Sequence, residues 1–340
     1  VVTARLRLAY VGMHPERRAE LVSRLGSADA VLAAIRRGSV EVPAAARQAA
    51  DISGAVRLEQ LAGDDVRVVF REDLPKHLGE LPDAPDVLFV KGALPHHPGV
   101  AVVGSRKATV YGTSLSRRYG WALADAGWPV VSGLALGVDG AAHVGVVDAD
   151  GIGVAVLGCG PDVWYPRQHR SLGRRLVAAG GALVTEYPPG TPPNGWRFPP
   201  RNRIISGLAR VVVVVEAART GGALITARKA LGQGRDVFAV PGDIDRPTSE
   251  GCNRLIRDGA LPVFGPDDLV EAVSVVLGPP ARHDVPSQHA VLDAVGPVGR
   301  SVDDLSQVLS KPVSWVLAEV ARLEAAGLVC RRNGLVARGR

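Results

Sequence analysis

Apolar residues recur at spacings of three and four over Glu16 to Leu25, Ala28 to Arg37 and Pro43 to Leu61. That period predicts three short helices, punctuated by Gly26-Ser27 and Gly38-Ser39, and a helical N-terminal domain over residues 1–65. Val66 to Phe70 and Val87 to Val90 read as strands, joined by a Pro-rich connection from Leu78 to Pro85. From Val100 the pattern changes to short, wholly apolar runs that alternate with helical stretches. The strands are Val100 to Val103, Val130 to Ser132, Gly153 to Leu157, Ala182 to Thr185, Val211 to Val215 and Asp236 to Val240. Between them lie helices over Thr113 to Ala126, Gly140 to Asp148, Ser171 to Ala179, Pro200 to Leu208 and Gly222 to Gly232. Unbroken apolar strands alternating with helices belong to a parallel sheet covered on both faces. Residues 66–275 are thus expected to form an α/β, doubly wound, Rossmann-like core whose ligands sit beyond the carboxyl ends of the strands.

A stretch poor in apolar residues, 276–287, reads as a linker to a last module over 288–340. That module shows helices over Gln288 to Val295, Val302 to Leu309 with Ser301 as cap, and Pro312 to Ala326. Two short strands follow, Leu328 to Arg332 and Leu335 to Ala337, joined by the hairpin signal Asn333-Gly334. Three helices and a hairpin predict a winged helix.

Composition narrows the class. The 340 residues are 46% hydrophobic and 22% charged, which suits a folded chain rather than a disordered one. No apolar run approaches the ~20 residues of a membrane span, and no secretory signal is expected after Arg5 and Arg7, so the chain reads as cytoplasmic. Cys159, Cys252 and Cys330 lie too far apart for zinc or disulfide spacing, so no metal is expected. The formal net charge is +6, and the excess sits in residues 100–265, with 19 basic against 12 acidic groups. Because 35 of the 40 basic residues are Arg, which GC-rich coding alone can produce, this charge is weighed below against specific motifs.

The first core strand runs into Gly104-Ser105-Arg106-Lys107. Glycine lets backbone approach a ligand, free amides at a helix start attract an anion, and Ser105 and Arg106 add side-chain phosphate contacts. The spacing matches neither the dinucleotide fingerprint nor a Walker loop, so no nucleotide cofactor is expected. The second strand ends in Ser132-Gly133, followed by Asp139 and His143. Asp139 as a helix cap and a half-buried His143 explain that spacing without chemistry; a proton-handling pair is the alternative. Thr220-Gly221-Gly222 forms a second anion-friendly turn across the end of the sheet. Cys252 reads as packed rather than reactive.

The segment from Arg167 to Arg203 holds seven arginines against one acid, Glu186. Trp164, Tyr165, Tyr187, Trp196 and Phe198 lie within or beside it, out of 15 aromatic residues in the whole chain. Cations interleaved with rings suit single-stranded nucleic acid, since phosphates take the charge and unpaired bases stack. The densest point, Phe198-Pro199-Pro200-Arg201-Asn202-Arg203, reads as an exposed Pro-rich loop opening a helix. The candidate DNA- and phosphate-binding set is therefore Gly104, Ser105, Arg106, Lys107, Ser132, Gly133, Arg197, Phe198, Arg201, Asn202, Arg203, Thr220, Gly221 and Gly222, with no catalytic residue.

These blocks, in order, resemble the DNA-processing protein A family, also called Smf. The resemblance is carried by Val103-Gly104-Ser105-Arg106, Ser132-Gly133-Leu134-Ala135 with Gly137-Val138-Asp139 and Ala142-His143, Leu157 to Gly160, and Tyr165-Pro166. It continues through Phe198 to Leu208, Thr220 to Ala227 and Val240-Pro241-Gly242. The resemblance implies a homodimer that binds single-stranded DNA entering the cell in natural transformation, protects it, and helps load the RecA recombinase. By it, Arg106, Arg201 and Arg203 are phosphate contacts and Phe198 contacts a base.

Two other readings stand beside it. The core layout is similar to nucleotide phosphoribohydrolases of the lysine-decarboxylase-like group, but Arg228 falls where their catalytic acid belongs. A winged-helix regulator of duplex DNA would need a basic, polar third helix. Here Lys311 and Arg322 are balanced by Glu319 and Glu324, and Ser314, Ala318 and Ala321 suit a protein partner better.

Overall fold

A computed structural model describes residues 2–278, 290–296, 299–325, 328–332 and 334–338. The N-terminal module contains α1 (Val2–Ala9), α2 (Pro15–Leu25), α3 (Ala28–Arg36), α4 (Ala44–Asp51) and α5 (Gly54–Gly63) around Leu8, Leu21, Val31, Leu32 and Ile35. The single helix expected over Pro43 to Leu61 is two. Ile52 is extended, and the Ser53 side chain accepts the Val56 amide to start α5 afresh. Gly54 is required there, since a Cβ would lie 2.6 Å from that of Thr3 on α1.

The core follows as β1 (Arg67–Phe70), α6 (Lys76–Gly79), β2 (Val87–Gly92), β3 (Gly99–Val103), α7 (Val110–Asp125), β4 (Val130–Ser132), α8 (Val138–Asp148) and β5 (Gly153–Val156). It continues with α9 (Arg170–Ala178), β6 (Ala182–Thr185), α10 (Phe198–Gly207), β7 (Ala209–Val214), α11 (Gly222–Gly232), β8 (Asp236–Ala239), α12 (Glu250–Arg257), β9 (Leu261–Pro262) and α13 (Pro266–Leu277). The strands form one sheet in the order β1-β2-β6-β5-β4-β3-β7-β8-β9. From β6 to β9 every pairing is parallel, whereas β2 joins β6, and β1 joins β2, antiparallel. The core is thus doubly wound and Rossmann-like, with an antiparallel ribbon at one edge.

Strand alternation explains why both faces are apolar. Val100, Val102, Val211 and Val213 face α7, α8, α9 and α13, packing on Leu115, Tyr119, Val146, Leu176 and Val273. Their neighbours Ala101, Val103, Val212 and Val214 pack with Ile204, Leu224, Ala227 and Cys252 on α10, α11 and α12. The direction of winding reverses between β3 and β7, which places a crevice at their carboxyl ends.

The C-terminal module contains α14 (Ala290–Val295), β10 (Arg300–Ser301), α15 (Val302–Leu309), α16 (Val313–Ala325), β11 (Val329–Arg332) and β12 (Leu335–Arg338). Ser301 caps α15 as expected, and β10 adds a third strand to the hairpin in the order β10-β12-β11, completing a winged helix. Gln288, Asn333 and the expected linker from residue 279 onward lie outside the described residues. Among the described residues no helix is long and apolar enough to cross a membrane.

Candidate functional site

The crevice at the reversal of winding opens into a cleft of about 660 Å3. Its first wall is the loop after β3. Glycine is needed at position 104 because a Cβ would press on Val138 at 2.5 Å. The loop is pinned from both sides. The Ser105 amide donates to the Glu216 carbonyl at 2.7 Å, and the Ser105 carbonyl accepts the Val138 amide at 3.2 Å. The buried Glu216 carboxylate accepts from the amide and hydroxyl of Thr109, whose own hydroxyl caps α7 by accepting the Gly112 amide at 3.0 Å. These contacts leave Arg106 and Lys107 exposed at the rim.

The facing wall is the start of α11. Thr220, Gly221 and Gly222 are exposed, and no side chain caps this helix at Gly221, so its first amides point into the cleft end. The third wall is the first turn of α10. Phe198 lies under two guanidinium groups, with Arg106 at 4.9 Å and Arg201 at 5.8 Å from its ring centroid, and Tyr165 packs at 5.4 Å. Cations beside an aromatic face give one surface both a phosphate partner and a stacking platform.

Arg201 also builds the floor. It is 4% exposed, and its Nη1 donates to the Gly133 carbonyl at 2.9 Å and to the Val156 carbonyl, joining α10 to the ends of β4 and β5. A Cβ on Gly133 would collide with this guanidinium. Burial pulls the Arg201 pKa down to about 10, against the pull of Asp139. Asp139 lines the same floor and accepts the Gly133 amide at 3.1 Å; burial raises its pKa, and Arg201 and Arg106 oppose that rise.

Ten of the fourteen candidates line the cleft: Gly104, Ser105, Arg106, Lys107, Phe198, Arg201, Asn202, Thr220, Gly221 and Gly222. Four do not. Ser132 is buried and donates to the Val102 carbonyl, and Gly133 lies beneath the floor. Arg197 donates to the Pro192 carbonyl at 2.6 Å and lies over Trp196 and Tyr187. Arg203, expected as a phosphate contact, is buried and donates to both oxygens of Glu186 at 2.6 and 2.8 Å, so its charge is already matched. The expected Pro-rich loop is helical from Phe198, with prolines at its first positions. Trp196, one of the rings interleaved with the arginines, packs against His14 and Tyr187.

Asp139 does not cap α8; Gly137 stands at that position in a left-handed conformation, and a Cβ there would collide with the Ser105 carbonyl. His143 is fully buried rather than half-buried, and burial pushes its pKa down to about 3, so it is neutral near pH 7. Cys252 is packed, its thiol pushed up by burial to about 12. Tyr165, Asn194 and Asp139 line the cleft without having been in the candidate set. Tyr165-Pro166 and Asp139 carried a motif signal; Asn194 carried none.

A family model described as DNA recombination-mediator protein A matches residues 65–274, and one described as the DprA winged helix domain matches 277–334. Protein Smf of Escherichia coli is 41% identical over 277 residues, covering 77% of this chain and 74% of that protein. A putative DNA processing protein DprA of Mycobacterium tuberculosis is 42% identical over 246 residues, covering 69% and 62%. The X-ray structure of DNA processing protein A from Streptococcus pneumoniae superposes with a TM-score of 0.63 at 33% identity, over 78% of this chain and 95% of that one. A Helicobacter pylori DNA processing protein A structure, described for its single-stranded DNA binding mode, gives 0.55 at 27% identity over 61% and 95%.

Proposed function

The chain belongs to the DNA recombination-mediator protein A family, and from that premise we propose that its cleft binds single-stranded DNA. The observation that carries this reading is the bracketing of Phe198 by Arg106 and Arg201 in a cleft that also holds the exposed Lys107 and the exposed start of α11. Phosphates meet Arg106, Lys107 and the start of α11, while an unpaired base stacks near Phe198, a contact worth about 1–3 kcal/mol. Contacts to phosphates and to the face of a base carry no sequence information, so binding of this kind tolerates sequence.

The protein acts by holding DNA rather than by turnover. Both oxygens of Glu216 are taken by Thr109, and Asp139 is buried, where it accepts the Gly133 amide beside Arg201. On the same family membership, the reading extends to protection of incoming strands and loading of the RecA recombinase in the cytoplasm. A homodimer fits the sheet, which ends at the two-residue β9 with Leu261 57% and Phe264 72% exposed. The deciding test is affinity for oligo-dT against duplex of equal length at two salt concentrations. Single-strand preference with a steep salt dependence supports the reading; duplex preference would shift the site to the winged helix.

A further inference from the structure

We propose that the N-terminal helical module is part of the single-strand site, with Arg18 as a positioning residue that fixes the α10 segment from behind. The inference rests on the single-strand reading of the cleft and adds a contributor that touches no DNA. Arg18 lies on α2, is buried, and donates from Nη2 to Glu186 Oε1 at 3.0 Å, across 168 residues of sequence. Glu186, 2% exposed at the end of β6, also takes two bonds from Arg203 of α10. Arg203 is two residues beyond Arg201 and five beyond Phe198, which form the floor and the stacking surface of the cleft.

A second contact lies one turn earlier on the same face of α2. The ring of His14, the N-cap of that helix, packs 5.4 Å from Trp196, two residues before Phe198. Tyr187, next to Glu186, meets Trp196 edge-on at 6.1 Å. Residues 195–203 are thereby gripped from the N-terminal module at two points, while their opposite side forms the cleft.

Charge balance alone does not explain Arg18. Burial pushes the Glu186 carboxyl up, and the Arg203 and Arg18 guanidinium groups more than reverse this, holding it below the usual range. Arg203 already meets both carboxylate oxygens. A third buried ion adds its own desolvation cost, so the triad gives fixed geometry more than net stability. What Arg18 adds is the link between modules.

The test uses the full chain with Arg18→Met, Arg18→Lys and, as control, Arg17→Met, whose side chain is exposed and donates to the Glu41 carbonyl on the surface of the same module. Arg18→Met is expected to weaken oligo-dT binding about five- to tenfold, the scale of coupling through a packed network. Its salt slope should stay unchanged, because no phosphate contact is lost, and hydrogen exchange at residues 195–203 should quicken. Arg18→Lys should recover part of both, and Arg17→Met neither lose nor gain. Wild-type affinity and exchange in folded Arg18→Met would overturn the proposal, as would a slope lowered by one phosphate, which would make Arg18 a direct ligand. If Arg18→Met fails to fold, His14→Ala serves instead, with faster exchange at 195–198 expected and unchanged exchange overturning it. Wild-type protein that does not bind oligo-dT overturns the single-strand reading itself, and exchange at 195–203 then decides the coupling alone.

Discussion

Arg106 and Arg201 carry the same charge beside the same ring, yet their replacement by alanine should have opposite signatures. Arg201→Ala removes the donor from two buried carbonyls, Gly133 and Val156. An unpaired buried acceptor costs about 1–3 kcal/mol, so the two together, with lost packing of the stem, should cost about 3–5 kcal/mol. That is a large part of the ~5–15 kcal/mol that holds a typical fold. A pH dependence follows from Asp139. Burial already raises its carboxyl above 3.8 and Arg201 is the first of the groups opposing this, so removing Arg201 raises it further. A folded-state pKa above the unfolded one gives stability that is complete below the unfolded value and is lost as pH rises through the folded value. The deficit of Arg201→Ala against wild type should therefore be smallest near pH 3.8 and below, and grow toward neutral pH. Adding Asp139→Asn should remove the pH-dependent part. Urea unfolding followed by circular dichroism at acid and neutral pH measures this. Wild-type stability in Arg201→Ala, with the salt slope of DNA binding reduced by one, would refute the scaffold role and make Arg201 a phosphate ligand.

Three further outcomes are expected. Arg106→Ala, at an exposed rim position, should leave stability unchanged, weaken oligo-dT binding and lower the salt slope by about one phosphate contact, as read by titration at several salt concentrations. Phe198→Ala should lose about 1–3 kcal/mol of binding with the slope nearly unchanged, because a stacked base rather than a counterion is lost; equal affinity would place the ring in a purely structural role. A chain ended at residue 280 should keep most single-strand affinity, since residues 100–265 carry an excess of seven positive charges and residues 281–340 only two. If isolated 281–340 bound as tightly as the whole chain, the core site would have to be abandoned.

The parts of this fold that read directly from sequence are those whose signal is local. Val100 to Val103 and Val211 to Val215 announce buried parallel strands because both faces of each are apolar, and Ser301 announces a cap because that residue type satisfies a specific backbone need. The glycine turn after β3 is legible for the same reason: a Cβ on Gly104 would press on Val138, and such a close approach admits few alternatives. What a helical arginine points at is not local. Arg201 and Arg203 count as +2 in any tally of the Arg167 to Arg203 segment, yet one is spent on carbonyls at the ends of β4 and β5, and the other on Glu186. Trp196 looked available for stacking until His14, 182 residues earlier in the chain, was placed against it. The exposed cations of the cleft are therefore Arg106 and Lys107, on the loop after β3. The arginines nearest the densest motif act first on the shape of the cleft. A charge count singles out the segment, but the roles within it follow from burial, because a buried guanidinium must satisfy its donors before it can serve a ligand.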